Sequence, residues 1–522
     1  MTGMPWLTFM ILVPFIGALS MWIVPVGGVR QARIHAALTA LVVLVVSIVV
    51  LGKFDRGLGG PQLGEHGGWA SSVGIEWHVW IDGISIWLIL LTTVLFALAI
   101  GYLCIATPEQ PRAFLALILL GEAGLLGLFT AGNLVLFYVF WEAMLVPFYF
   151  LIGMWGSEGR AIATTKFVIY TMVGSLLMLV SIVATAFTAQ QITGKFTFDL
   201  VGLENVAYSR PESIWLLAGF LLAFVIKLPL WPFHGWLPDA YRTAPIVVVG
   251  LLAAIVSKAG VYGLLRIGLP LFPKGMEFFQ IPLILLSLAS IVYGSLVAWR
   301  QPTMRMLVGY SSLAHLGFIA LGIVAIDPQA ANGAVMQMVN HGIVVAAAFV
   351  IVGVISSRAG TQMIDDIGGL AAGAPWLAGV FLIITMASLA IPGSNSFAGE
   401  FFILAGVFHH DWWASAIAMI GVIYASVYML RLYQSSMNGP QRGADRRRVE
   451  LRGRDLIVLL PLIGVMALLA LWPQAILGGS SASVNTVVAP AQVAIGRPAS
   501  EIHALVLPNP LPTPGTQGVP GQ

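Results

Sequence analysis

Charge is what this sequence has least of. Asp, Glu, Lys and Arg make up 9% of its 522 residues, and hydrophobic residues make up 59%. A soluble domain carries about 25% charged and about 45–50% apolar residues. The shortage excludes a soluble fold of this size, which could not hide so much apolar surface. Cysteine is scarcer still: Cys104 stands alone, which excludes an intramolecular disulfide and any multi-cysteine metal cluster. The net charge of +3 is too small to point to nucleic acid. No nucleophile triad, phosphate loop, dinucleotide fingerprint or metal motif is present, so no covalent chemistry, cofactor or metal is expected on this chain.

What the sequence has is hydrophobic length. A bilayer is crossed by ~20 apolar residues, and about fourteen spans are predicted: 4–25, 34–52, 80–105, 111–131, 133–155, 163–190, 212–230, 243–267, 279–299, 303–325, 330–356, 373–405, 411–433 and 456–475. The first run, from near Pro5, has no basic residue before Arg30 and reads as a retained helix rather than a cleaved signal. The fold class is therefore an all-α polytopic membrane protein. Alternate loops collect sixteen basic residues on one side and seven on the other, which leaves Lys227 and Lys258 inside spans. Basic loops stay cytoplasmic, so both termini are expected to face outward. Residues 476–522, ending in "LPNPLPTPGTQGVPGQ", read as a C-terminal tail after a basic loop and final helix over 436–475.

An ionisable group at the bilayer centre costs about 2.5–3.5 kcal/mol on insertion scales, so its default reading is functional. Glu142, Lys227, Lys258, His315, His341, Glu400 and Glu122 fall within spans. Each has a plainer reading: a static ion pair for the lysines, a helix-to-helix hydrogen bond for Glu142 and Glu122, a neutral cross-link for the histidines. Two breaks favour function. "KLPLWPFHGW" places Pro229 and Pro232 in one span, and "LAIPGSNSF" places Pro392 and Gly393 in another. Proline removes a donor and clashes with the preceding turn, and irregular backbone at membrane depth survives only when buried in protein or facing water.

One spacing recurs. A gap of 173 positions separates Glu142 from His315, Lys227 from Glu400, and Lys258 from Arg431. It carries the fifth predicted helix onto the tenth, the seventh onto the twelfth and the eighth onto the thirteenth. Five helices is an odd number, so such repeats are inverted in the membrane, as in many transporters. The expected units are 1–105, a first repeat over 106–267 and a second over 268–435, with discontinuous helices 7 and 12. Histidine titrates near neutrality, and a row of Glu, Lys and His bridged by water suits proton transfer.

The stretches "NLVLFYVFWEAMLVPFYFLIGMWG", "KLPLWPFHGWLPDA", "SKAGVYGLLR" and "YSSLAHLGF" resemble the antiporter-like subunits of respiratory complex I and of Mrp-type cation/proton antiporters. The resemblance implies fourteen helices with two inverted five-helix repeats. It assigns proton transfer to Glu142, Lys227, Lys258 and Glu400, with His234 and Asp239 near the cytoplasmic entry; Arg431, picked out by the 173-residue spacing alone, lies near a helix end and reads as a cytoplasmic anchor as readily as a relay member. Glutamate at 400 points to the M-type branch of NADH-quinone oxidoreductase subunits. That implies a translocase acting as part of the complex, with no redox chemistry on this chain, in a bacterial plasma membrane. Implied partners are membrane lipids, neighbouring antiporter-like subunits and the lateral helix of an L-type subunit, which this chain is too short to supply itself. Asn133 (usually Asp), Tyr241 (usually His) and the apolar "APIVVVGLLAAIVSK" depart from the family pattern. The competing readings are a sodium/proton antiporter subunit and a static membrane scaffold.

Overall fold

Hydrophobic length, capping residues and prolines set the order of elements. The computed structural model describes residues 4–23, 28–70, 74–105, 108–443 and 449–498. Arg446, Arg447 and Arg448 of the basic loop, and the Pro-rich end from 499 onward, lie outside the described residues. Among those described, twelve helices are long and apolar enough to cross a membrane.

The longer helices are α1 (Trp6–Ile23), α2 (Gly28–Lys53), α3 (Ser85–Ile105), α4 (Pro111–Thr130), α5 (Leu134–Trp155, interrupted at Met144), α6 (Arg160–Thr193), α7 (Arg210–Lys227), α8 (Ile246–Leu271), α9 (Pro273–Arg300), α10 (Met304–Val324), α11 (Pro328–Ala359), α12 (Pro375–Ser388), α13 (Asn395–His410), α14 (Trp412–Met437), α15 (Gly453–Leu471) and α16 (Gln474–Ala494). Short polar side chains start several of them. Ser209 and Glu212 form a reciprocal capping box on α7, Thr303 caps α10 and Asp327 caps α11. Asn133 accepts from the backbone N–H of Val135 and Leu136, so it performs the α5 cap itself.

The predicted spans 212–230 and 373–405 correspond to α7, with 18 residues and three charges, and to the pair α12 and α13, with only 14 and 16 residues. The chain leaves helix directly after Lys227 in one case and over 389–394, before Glu400, in the other. The core is built where helices are apolar all round. Every residue of α10 is buried, and α10 packs on α9 and α11, α11 on α13, and α8 on α7 and α11.

Two regions differ from the sequence reading. The chain is not all-α: "QLGEHGGWASSVGIEWHVWI" contains an antiparallel hairpin, β1 (Gln62–Ala70) and β2 (Ile75–Ile81). Its second strand is rich in β-branched and aromatic residues, and the hydrophobic run beginning at residue 80 had absorbed its end. Residues 476–494, expected as tail, continue the helix α16. Its Gly and Ser residues lower its hydropathy, and the same small residues allow tight packing. Gly479 approaches the Trp87 ring, Ser480 donates to Asn332, and Ser483 accepts from the N–H of Gly83 at 2.8 Å.

Candidate functional site

Four ionisable side chains meet as two hydrogen-bonded pairs. Lys258 Nζ lies 2.7 Å from His341 Nδ1, and His315 Nδ1 lies 2.9 Å from Glu400 Oε1. All four are buried. The two histidine rings are 5.7 Å apart between centroids, so a single row runs Lys258, His341, His315, Glu400 across α8, α11, α10 and α13.

Local structure fixes each member. α8 widens into a π turn over Leu252–Val256, immediately before Lys258, a feature frequent at functional sites. The Ala253 carbonyl at that turn accepts from Ser257 Oγ at 2.9 Å and from Lys258 Nζ at 2.8 Å. Gln337 stands one turn before His341 on α11, hence on the same face, and its Nε2 donates to Glu400 Oε1 at 3.0 Å. Asn340 Nδ2 donates to the Asn395 carbonyl at 2.7 Å, and Asn395 Nδ2 returns a bond to Asn340 Oδ1 at 3.2 Å. These bonds tie α11 to the first turn of α13 and so hold Glu400 in place.

A small cavity lies along the row. Ser311, Ser312, His315, Gln337, His341 and Ser396 line it together with apolar side chains such as Val308, Val344 and Met429, with about 20 Å³ open to the centre of a water-sized sphere; one water needs about 10–15 Å³ on that measure. Nε2 of both histidines, Ser312 Oγ and Gln337 Oε1 are buried without a protein partner. A buried polar atom left unsatisfied costs about 1–3 kcal/mol. Space and unpartnered atoms together leave room for a water between the two pairs.

The other half of the row is less closed. Lys227 ends α7, and its buried Nζ has no protein partner. Its nearest aromatic faces are Trp141 at 5.6 Å and Phe167 at 5.9 Å, a cation–π setting. The break beyond it is satisfied by side chains: Trp236 Nε1 donates to the Ile226 carbonyl at 2.9 Å, and Ser290 Oγ accepts from the Trp231 N–H at 2.8 Å. Glu142 is half-buried beside Trp141, close enough for its charge to act on Lys227, but it forms no ion pair with it.

The remaining candidates stand outside the row. Glu122 on α4 is fully buried, with neither oxygen hydrogen-bonded. His234 lies in the segment after α7 with its ring 5.1 Å from that of Tyr293. Asp239 pairs with Lys166 at 2.5 Å. Arg431 donates to the Trp299 carbonyl near the end of α9. Reasoning from sequence missed Gln337, Asn340, Asn395 and Ser312. The available signal was their polarity inside apolar spans, one turn or so from His341, Glu400 or His315.

Comparison with known proteins identifies the family. The transmembrane family described as NADH:quinone oxidoreductase/Mrp antiporter matches residues 131–425, which hold every member of the row. NADH-quinone oxidoreductase subunit M of Mycobacterium tuberculosis is 36% identical over 512 residues, covering 91% of this chain and 93% of the relative. A chain of respiratory complex I from Thermus thermophilus superposes with a TM-score of 0.84 at 29% identity, covering 93% of this chain and 99% of that one. A chain of the Mrp complex from Dietzia sp. superposes with a TM-score of 0.82 at 21% identity, covering 94% and 99%, a likeness of fold alone. With more than half of its length inside the family match and a relative this similar nearly end to end, the chain belongs to the NADH:quinone oxidoreductase/Mrp antiporter family of membrane proteins.

Proposed function

We propose that this chain is a proton-translocating membrane subunit of an NADH-quinone oxidoreductase, with Lys258, His341, His315 and Glu400 as the central part of its relay. The observation that carries the reading is the row itself: two buried donor–acceptor pairs that meet at a small cavity with room for a water. With His341 as the Nε2–H tautomer, Lys258 donates to Nδ1 while Nε2–H faces the cavity. A water there passes a proton to His315 Nε2, and His315 Nδ1–H faces Glu400. One proton entering at Lys258 thus displaces one at Glu400 without any side chain crossing a helix. Lys227 and Glu142 feed the row from the first half. Their lack of a direct contact leaves Lys227 free to change partners.

The architecture supports a transporter reading. Counting the broken pair α12–α13 as one and leaving out α16, which is not apolar enough to cross a membrane, gives fourteen spans, with α4–α8 and α9–α14 as inverted five-helix repeats and the discontinuous segments beside Lys227 and Glu400. The side richer in basic loops is cytoplasmic and both ends of the chain face outward. The membrane is bacterial and the neighbours are other membrane-arm subunits. Moving a proton against the potential takes about 2.3 kcal/mol per 100 mV, and this chain performs no redox step, so the energy comes from electron transfer elsewhere in the complex.

The test is NADH-driven proton uptake by inverted vesicles carrying Lys258→Met, with assembly of the complex followed on native gels. Pumping and quinone reduction should fall together in an assembled complex. Pumping at the wild-type level removes the row from the pathway, and uptake that requires sodium instead selects the exchanger reading.

A further inference from the structure

A second recess lies on another face of α11. It is a narrow groove between α3, α8, α11 and α15, with about 40 Å³ open to the centre of a water-sized sphere. Leu95, Leu98, Ile246, Ala346, Phe349 and Leu462 are among its walls, and the hydroxyl of Tyr102 is the one polar side-chain group in its lining. Walls of this kind, between helices that cross a membrane, are filled by hydrocarbon. The groove follows α3 for two turns, from Leu95 to Tyr102, and is too narrow for a helix ~10 Å across, so it admits a single flexible chain and not a second helix.

Charge marks one end. Tyr102 lies in the field of Asp455, Arg358 and Arg454. Arg358 and Asp455 neutralise each other at 2.5 Å. Arg454 is exposed and makes no ion pair among the described residues. The segment leading to it, 442–454, contains six arginines against Asp445 and Glu450. A basic residue at an anionic membrane surface contributes about 1 kcal/mol.

We propose that an anionic phospholipid occupies this site, with one acyl chain in the groove between α3, α8, α11 and α15 and its phosphate against Arg454 at the Tyr102 end. The site touches the candidate relay from outside. Val247 and Leu251 line the groove, and the π turn that presents the Ala253 carbonyl to Lys258 begins at the next residue, Leu252. The lipid therefore braces the α8–α11 contact. That consequence rests on the relay reading, whereas lipid retention does not.

The experiment is native mass spectrometry of the assembled complex, delipidated and then offered phosphatidylglycerol or phosphatidylcholine. The wild type should retain phosphatidylglycerol in preference. Arg454→Gln should reduce that preference by about fivefold, and Ala346→Trp, which fills the groove, should abolish retention of both lipids at this site. A benzophenone amino acid replacing Leu98 in the intact complex should capture phospholipid on illumination, and this arm decides the matter if Ala346→Trp does not assemble. Equal retention of the two lipids by all three proteins overturns the proposal. So does capture of a neighbouring subunit at position 98.

Discussion

His315 has to serve two neighbours at once. Its Nδ1 is held by Glu400, and its Nε2 lies on the cavity side with no protein partner. An imidazole can take a proton on one nitrogen and release another from the second, which no amide can do. His315→Asn keeps a polar group opposite Glu400 but removes the second nitrogen. We expect NADH-driven proton uptake to fall by about a hundredfold or more, the range positioned proton transfer contributes, while the complex still assembles. Uptake within about twofold of wild type would place the proton path elsewhere. The same residue shows what the sequence could and could not convey. The interval of 173 relates His315 to Glu142 and Glu400 to Lys227, but in space His315 meets Glu400, and Lys258 meets His341. Spacing along the chain selects positions that matter and is silent on which helices touch, because that depends on packing between elements far apart in sequence. Gln337 gave a weaker signal for a related reason: an uncharged amide costs less in a span than a charge and stands out less.

At the scale of elements, two contacts govern how the row is held. α7 and α8 approach closely at Gly260, where an added Cβ would stand 2.5 Å from the Phe224 carbonyl oxygen and 2.8 Å from the Leu228 nitrogen. Both obstacles are backbone at the end of α7, so they cannot swing aside. Gly260→Ala should cost about 1–3 kcal/mol by overpacking, seen as a lower melting temperature of the complex; an unchanged melting temperature would show that the helices part freely there. The hairpin is fastened by His78 Nδ1, 2.6 Å from Asp199 Oδ1, and by the Val79–Ala131 bridge. Burial alone would raise the Asp199 pKa, but the bond to His78 and the Gly202 N–H outweigh it and hold the carboxyl below its ordinary value. A depressed carboxylate contributes stability fully above its unfolded pKa and loses it as pH falls through the folded one. Hydrogen exchange across β1 and β2 should therefore stay slow at neutral pH and accelerate only below about pH 4. Asp199→Asn should give fast exchange at every pH, and slow exchange in that variant would mean the strand pairing alone holds the hairpin. The long apolar helices were legible because length and hydropathy are local properties. The hairpin and α16 were not. Nine- and seven-residue strands and a Gly/Ser-rich helix declare themselves only through the partners they pack against.

At the scale of the whole molecule, the basic residues separate two faces. Glu65 of β1 accepts from the N–H of Leu7 at the start of α1, so the chain begins on the hairpin face. The ends of α3 and α11 and the start of α15 meet on the other face, where Arg358 bonds Asp455 and the Glu450 carbonyl. Sixteen of the 23 basic residues outside spans fall in the loops predicted for that second face, the bias expected of a cytoplasmic side. The row of charges lies between the two faces, so in the proposed relay the direction of transport depends on this orientation. With one native cysteine, a Cys104→Ser background allows a clean test. Glu76 and Gln362 are both exposed, one on the hairpin and the other just beyond α11. In intact cells a membrane-impermeant thiol reagent should label Glu76→Cys and leave Gln362→Cys unmodified until the membrane is opened. The reverse pattern would invert the bundle, and labelling of both in sealed cells would mean that the helices do not divide the chain into two faces at all.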